Sequence, residues 1–311
     1  SMPSFSIVSK SMCLIWSFVS IFCMAEIKGN FTVVLLNSLS GSVPYREISR
    51  IALPIMVSNI AIHLIGFIDT MFLAQIGEVA VGASGNAILF YYMIIASLSG
   101  LAVASQIIIG RRNGERNFHK TGAIFKQSVL FTAVTATLAW ILVFFFAKDF
   151  IELIYSSEAV SEVTTTYLEM RSFGIWPALV SFCFIGFFVG TTNTRPIAIA
   201  AILLAIVNVL FDYLLIFGIG VFPAMGVEGA ALASVIAEVS GALFLIGYTL
   251  KFVDLKKYGL NLKFKFDAEI MARIWVIGRP IMLQYLIAMG GWSVFFSIIE
   301  HLGERPLAVS H

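Results

Sequence analysis

The stretch IALPIMVSNIAIHLIGFIDTMFLAQI, residues 51–76, decides how the rest of the chain is read. As a helix it is long enough to cross a bilayer, which takes ~20 mostly apolar residues. It carries one carboxylate, Asp69, and a proline, Pro54, in its first turns, where a helix can kink or hinge. A charge in hydrocarbon costs roughly 2.5–3.5 kcal/mol on insertion scales, so an intramembrane Asp points to function. The stretch also has an echo. Pro54-Ile55-Met56 returns as Pro280-Ile281-Met282, Gly77-Glu78 as Gly303-Glu304 and Ser84 as Ser310, while Ile48 and Ile51 meet Ile274 and Ile277. The chain thus begins a second copy of itself near its end.

Composition sets the class. Hydrophobic residues make up 59% of the 311 and charged ones 12%, against ~45–50% and ~25% in soluble domains. That is a multi-spanning membrane protein, with the lipid bilayer as its surroundings and no nucleic-acid partner. The net charge of +2 says little, because in such proteins the placement of Lys and Arg carries the information. Cys13, Cys23 and Cys183 are too few and too scattered for a disulfide framework or a metal site, and read as small apolar fillers. No nucleophile–base pair, phosphate-binding loop or metal-ligand spacing appears, so nothing supports an enzyme or a cofactor.

Residues 1–45 do not match the remainder and read as an extension of uncertain status. Ser1 before Met2 has the look of a cloning scar, and Met24 could be a natural start. The apolar run Met12 to Ala25 is short for a span. From Arg46 onward, apolar segments alternate with polar joints. Spans are expected over roughly 50–75, 87–110, 122–147, 172–190, 197–217, 229–250 and 274–299. Residues 77–85 and 148–162 are expected to be loops, the second of them acidic. Pro177 lies inside the fourth span as a second kink candidate.

Basic residues fall on alternate joints. Arg46 and Arg50, the run from Arg111 to Lys120, Arg195, and the five lysines between Lys251 and Lys265 share one side, while the opposite joints hold only Lys148. Positive residues stay cytoplasmic, so the N-terminus and the 251–273 joint should face inward. Six spans separate the two copies of the opening motif, so the copies run in the same direction. Parallel repeats about an axis along the membrane normal are a recurring transporter plan. A full second copy would need roughly five more spans.

Span 5 carries Asn208 and Asp212, four residues apart and hence on one helix face. Span 6 carries Ser234 and Glu238 at the same spacing. With Asp69 on span 1, three helices offer oxygen ligands or proton acceptors inside the apolar zone, the pattern of coupling-ion sites and proton relays. Hard cations such as sodium prefer oxygen donors. The competing reading for Asp69 and Asp212 is an interhelical hydrogen bond that only locks the bundle. Glu238 is a candidate proton relay, and Gln284 in span 7 a candidate cavity residue. His63 is expected to be a hydrogen-bonded core residue.

Several motifs in order resemble the multidrug and toxic compound extrusion (MATE) family, in its DNA-damage-inducible protein F branch. They are ALPIMVSN with Pro54, FIDTMFLAQIG with Asp69, QIIIGRRNG from Gln106 to Gly114, Thr194-Arg195-Pro196, NVLFD ending at Asp212, and GVEGAALASVIAE. The resemblance implies an all-α, polytopic MATE-type bundle. Residues 46–265 would be a first lobe of six spans, and 266–311 the start of a second lobe at its seventh span. It implies an antiporter that exports drugs or organic cations in exchange for H+ or Na+, monomeric when full length, in the inner membrane if bacterial. By motif the family's first-lobe cation site falls on Asp69, Asn208, Asp212 and Ser234. The counterpart of Asp69 in the second copy is Phe295, so that carboxylate is not duplicated. Other readings are a lipid-linked oligosaccharide flippase of the same superfamily, which would call for cationic cavity residues, and a non-transporting membrane scaffold.

Overall fold

The computed structural model describes residues 45–155, 158–261 and 263–300. Among these there are eight helices and no strand: α1 (Tyr45–Ala74), α2 (Glu78–Gly114), α3 (Phe118–Ile154), α4 (Glu158–Ser172), α5 (Ile175–Gly190), α6 (Arg195–Phe217), α7 (Val227–Phe252) and α8 (Ala268–Glu300). The contacts divide into two units between Arg50 and Ile51, and the site lies in the second. Six helices are long and apolar enough to cross a bilayer, and α4 with α5, bent by 52° at their junction, are together long and apolar enough for one more. This is an integral, multi-pass membrane protein. The extension at 1–44, with Cys13 and Cys23, lies outside the described residues.

Two expected loops are helical. The chain turns only at Gln75–Gly77, and α2 starts at Glu78 with Ala80, Val81, Ala83 and Ser84 buried. The small residues of this segment let neighbouring helices close in. The acidic 148–162 segment is also mostly helix. Val143, Ala147 and Ile151 carry the buried face of α3 onward, one turn apart, while Asp149 and Glu152 point outward. The fourth span is corrected in the same way. It begins at Glu158, breaks at Phe173 and Gly174, and resumes at Ile175. Pro177 sits in the first turn of α5, where an N–H would lack an intrahelical partner anyway. Pro54 lies within the unbroken α1, and the Ser58 hydroxyl donates to its carbonyl at 2.8 Å.

Two apolar clusters fill the bundle. One gathers Leu73, Phe90, Tyr91, Ile151, Leu168 and Leu179; the other gathers Leu101, Ile109, Phe125, Phe187, Leu245 and Ile274. Cys183 belongs to the second as a buried filler, with the Ser128 hydroxyl donating to its sulfur at 3.5 Å. Leu53, Ile60, Phe67, Leu142, Phe145 and Ile287 point outward, an apolar belt suited to lipid.

α8, the repeat of α1, lies against α2. A Cβ on Gly100 would come within 2.8 Å of Met282 Cγ and 2.9 Å of its backbone nitrogen, and one on Gly278 would touch Leu101 and the Gly100 carbonyl. The absent side chains let the two backbones approach. The 251–267 joint folds back onto α3: Lys126 Nζ donates to the Gly259 carbonyl at 3.0 Å, and Gln127 Nε2 to that of Lys265 at 2.6 Å. Asp267 then caps α8, its Oδ1 accepting from the backbone N–H of Glu269 and Ile270. At the end of α2, Arg112 and Arg111 both bond Glu115 and hold its exposed carboxyl below the usual range.

Candidate functional site

Close helix packing brings the polar residues together. In the first turn of α7, a Cβ on Gly229 would lie 2.8 Å from the Leu215 carbonyl of α6, and the helix continues through buried Ala230, Ala231 and Ala233. At the C-terminus of α6, Gly218 takes the left-handed conformation at φ 69°, and Met225 N–H returns to the Leu215 carbonyl at 2.9 Å. The tight crossing places Asn208 Nδ2 3.4 Å from Ser234 Oγ, both buried.

α1 reaches this pair from the side. Phe72 packs its ring on Tyr213 and Phe217 of α6, with centroids 6.3 and 5.6 Å apart. The hydroxyl of Thr194, at the start of α6, donates to the Ile51 carbonyl at 3.2 Å. Between these two anchors, Asp69 turns inward at 8% exposure and meets Asp212, which is fully buried. The two carboxyls face each other closely enough that a proton on one would bond the other.

Four buried oxygens here, Asp69 Oδ1, Asp212 Oδ1 and Oδ2, and Asn208 Oδ1, receive no hydrogen bond from any N–H or hydroxyl. Buried polar atoms are normally satisfied, so a cluster of acceptors without donors asks for a cation or a proton. The donor set is oxygen only, which fits a hard monovalent ion or H+ better than a transition metal. No group of three His, Cys, Asp or Glu gathers among the described residues.

Glu238 lies one turn beyond Ser234 on α7, and its carboxylate is engaged. Arg171 Nη1 and Nη2 donate to Oε2 and Oε1 at 2.8 and 2.7 Å, and the Tyr91 hydroxyl lies 3.0–3.1 Å from both oxygens. The guanidinium carbon also stands 4.1 Å over the Tyr91 ring. Arg171 is the residue that sequence reasoning missed, a buried cation beside the acidic candidates. Its helical partners carried the signal: Ser161, Thr164, Leu168 and Arg171 repeat at helical spacing and are all buried.

Two expected residues lie elsewhere. Gln284 is exposed on α8. His63 is corrected from a core residue to an exposed position on α1.

Comparison with known proteins bears on this arrangement. The MatE family model matches residues 54–214, more than half of the chain and both carboxylates of the pair. The chain belongs to the MatE family. Among MatE-like relatives, the DNA damage-inducible protein F of Escherichia coli is 27% identical over 270 residues, covering 84% of this chain and 56% of that protein. A probable multidrug resistance protein NorM of Neisseria meningitidis is 26% identical over 282 residues, covering 88% and 60%. The chain thus spans somewhat more than half the length of these relatives. Its fold is that of the MATE multidrug transporter DinF-BH, solved as a ligand complex: the TM-score is 0.76 at 21% identity, over 86% of this chain and 59% of that one.

Proposed function

We propose that this chain carries the ion-coupling half of a transporter that exports drug-like or cationic compounds in exchange for H+ or Na+. The observation that carries the reading is the facing pair Asp69–Asp212, whose buried oxygens lack donors beside Asn208 and Ser234. An occupant that neutralises the pair removes a large desolvation cost, so its binding selects one arrangement of α1 against α6 and α7. Substrate affinity then differs between the occupied and the empty arrangement, which is the linkage that exchange requires. Relatives named as multidrug resistance proteins, and a multidrug transporter of the same fold solved with its ligand, support a small-molecule substrate.

Residues 46–265 form the first lobe and α8 opens the second, as the repeated Pro-Ile-Met motif suggests. The exporter works as a monomer in a cytoplasmic membrane, with the N-terminus and the lysine-rich joint inside. The flippase alternative gains little from Arg171, the one buried cation among the described residues, because its charge is neutralised by Glu238.

The test is coupled export of a cationic dye from cells carrying the gene, with Asp69→Asn and Asp212→Asn compared against wild type. The amide keeps the shape and removes a lipid-buried charge, so insertion is preserved. Export should stop in both variants. Wild-type rates with wild-type sodium and pH dependence in both would reduce the pair to a packing contact.

A further inference from the structure

Arg171 occupies a position that its pair with Glu238 does not exhaust. Its charge bears on Asp69 and on Asp212 as well as on Glu238. A guanidinium has five N–H donors and never loses its proton, and Glu238 engages one on each terminal nitrogen. Glu238, for its part, does not depend on Arg171 alone, because the Tyr91 hydroxyl also bonds its oxygens. The ionisable groups whose charge couples to this cation are Asp69 of α1, Tyr91 and Tyr92 of α2, Tyr167 of α4, Asp212 of α6 and Glu238 of α7, of which Glu238 and Tyr91 touch it.

The backbone under Arg171 is also unusual. The residue sits in the last turn of α4, immediately before the break at Phe173–Gly174 where the chain bends by 52°. At Gly174 a Cβ would fall among the Glu238 carboxylate, Arg171 Nη1 and the Tyr91 hydroxyl. A helix terminus beside a break of this kind can reorient more easily than a residue inside a continuous helix.

Charge arithmetic supplies the reason to move. Two buried carboxylates, Asp69 and Asp212, and the partly buried Glu238 are set against a single buried guanidinium. With Arg171 on Glu238, the Asp69–Asp212 pair depends on an incoming cation for its neutralisation. Without that cation, two buried like charges face each other, and the nearest fixed positive charge is Arg171.

We propose that Arg171 is a tethered competitor for the coupling cation: paired with Glu238 while the cation is on Asp69 and Asp212, and drawn onto those carboxylates when it leaves. Glu238 is then a positioning residue that parks Arg171 and so keeps the site open. This deepens the exchange reading above and rests on it.

The experiment measures equilibrium binding of radioactive sodium to the purified 311-residue chain, with thermal unfolding recorded on the same samples. Glu238→Gln frees Arg171 and should weaken sodium binding about tenfold, the scale of an ordinary coupling energy. Arg171→Gln removes the competitor and should tighten it. The double variant, which leaves neither charge unpaired and so protects the fold, should bind like Arg171→Gln. A purely structural pair would lower the unfolding temperature in the single variants and move both affinities the same way or not at all. That pattern overturns the proposal, as does equal sodium affinity in wild type and folded Glu238→Gln. Wild type that binds no sodium overturns it too. If dye export then still needs Asp69, only this inference falls and the exchange reading stands.

Discussion

Gly174 and Glu238 stand so close that a Cβ on the glycine would overlap the glutamate carboxylate. Gly174→Ala must therefore push apart Glu238, Arg171 and Tyr91, and overpacking of this kind costs about 1–3 kcal/mol. Gly66, on α1, has open space around it, so Gly66→Ala should be neutral or stabilising by up to ~1 kcal/mol through helix propensity. Thermal unfolding in detergent should separate the two. Equal unfolding temperatures would mean that the 174 break yields freely.

Gly122 is held the same way at the other end of the bundle. A Cβ there would overlap the Tyr258 carbonyl and press on Leu260. Gly122→Ala should lift the 251–267 joint from α3, costing about 1–3 kcal/mol and exposing the Lys257 peptide bond to trypsin. Unchanged trypsin cleavage would show that the joint is held elsewhere.

The four residues of the proposed cation site should rank by charge. Ser234→Ala removes one hydroxyl, worth roughly 0.5–1.5 kcal/mol, and should weaken sodium binding by a factor of about 2–10. Asn208→Ala should fall in the same range, whereas Asp212→Asn should abolish binding. Titration calorimetry checks the order; a Ser234 variant as damaged as the Asp212 variant would place the ion nearer α7 than the carboxyls imply.

Sidedness follows from the placement of charge. In a background with Cys13, Cys23 and Cys183 replaced by Ser, cysteines at 158 and 228, both exposed positions, should react with an impermeant maleimide added outside. Cysteines at 256 and 257 should react only in inverted vesicles. Labelling of the 256 position from outside intact cells overturns the orientation.

Most of the polar cluster proposed here as a cation site was legible in the sequence. A carboxylate in an apolar run is costly enough to stand out, which singled out Asp69 and Asp212, and the i,i+4 spacing put Asn208 on the same face as Asp212. Arg171 was passed over because the helical repeat that carries it is polar although buried, at Ser161 and Thr164, so no apolar stripe marks the face. A span that breaks at Phe173–Gly174 defeats any rule built on continuous apolar length. His63 was misjudged for another reason: nothing local to α1 tells which of its sides meets a neighbour.

The contact between α2 and α8 bears on how the protein is made. Gly100 and Gly278 let the first helix of the second repeat seat on the first repeat using only residues that precede position 301. During synthesis, α8 can therefore find its berth as soon as it leaves the insertion machinery, before any later segment exists. The helices already inserted then act as a template, and the direction of α8 is fixed by the helix it docks on.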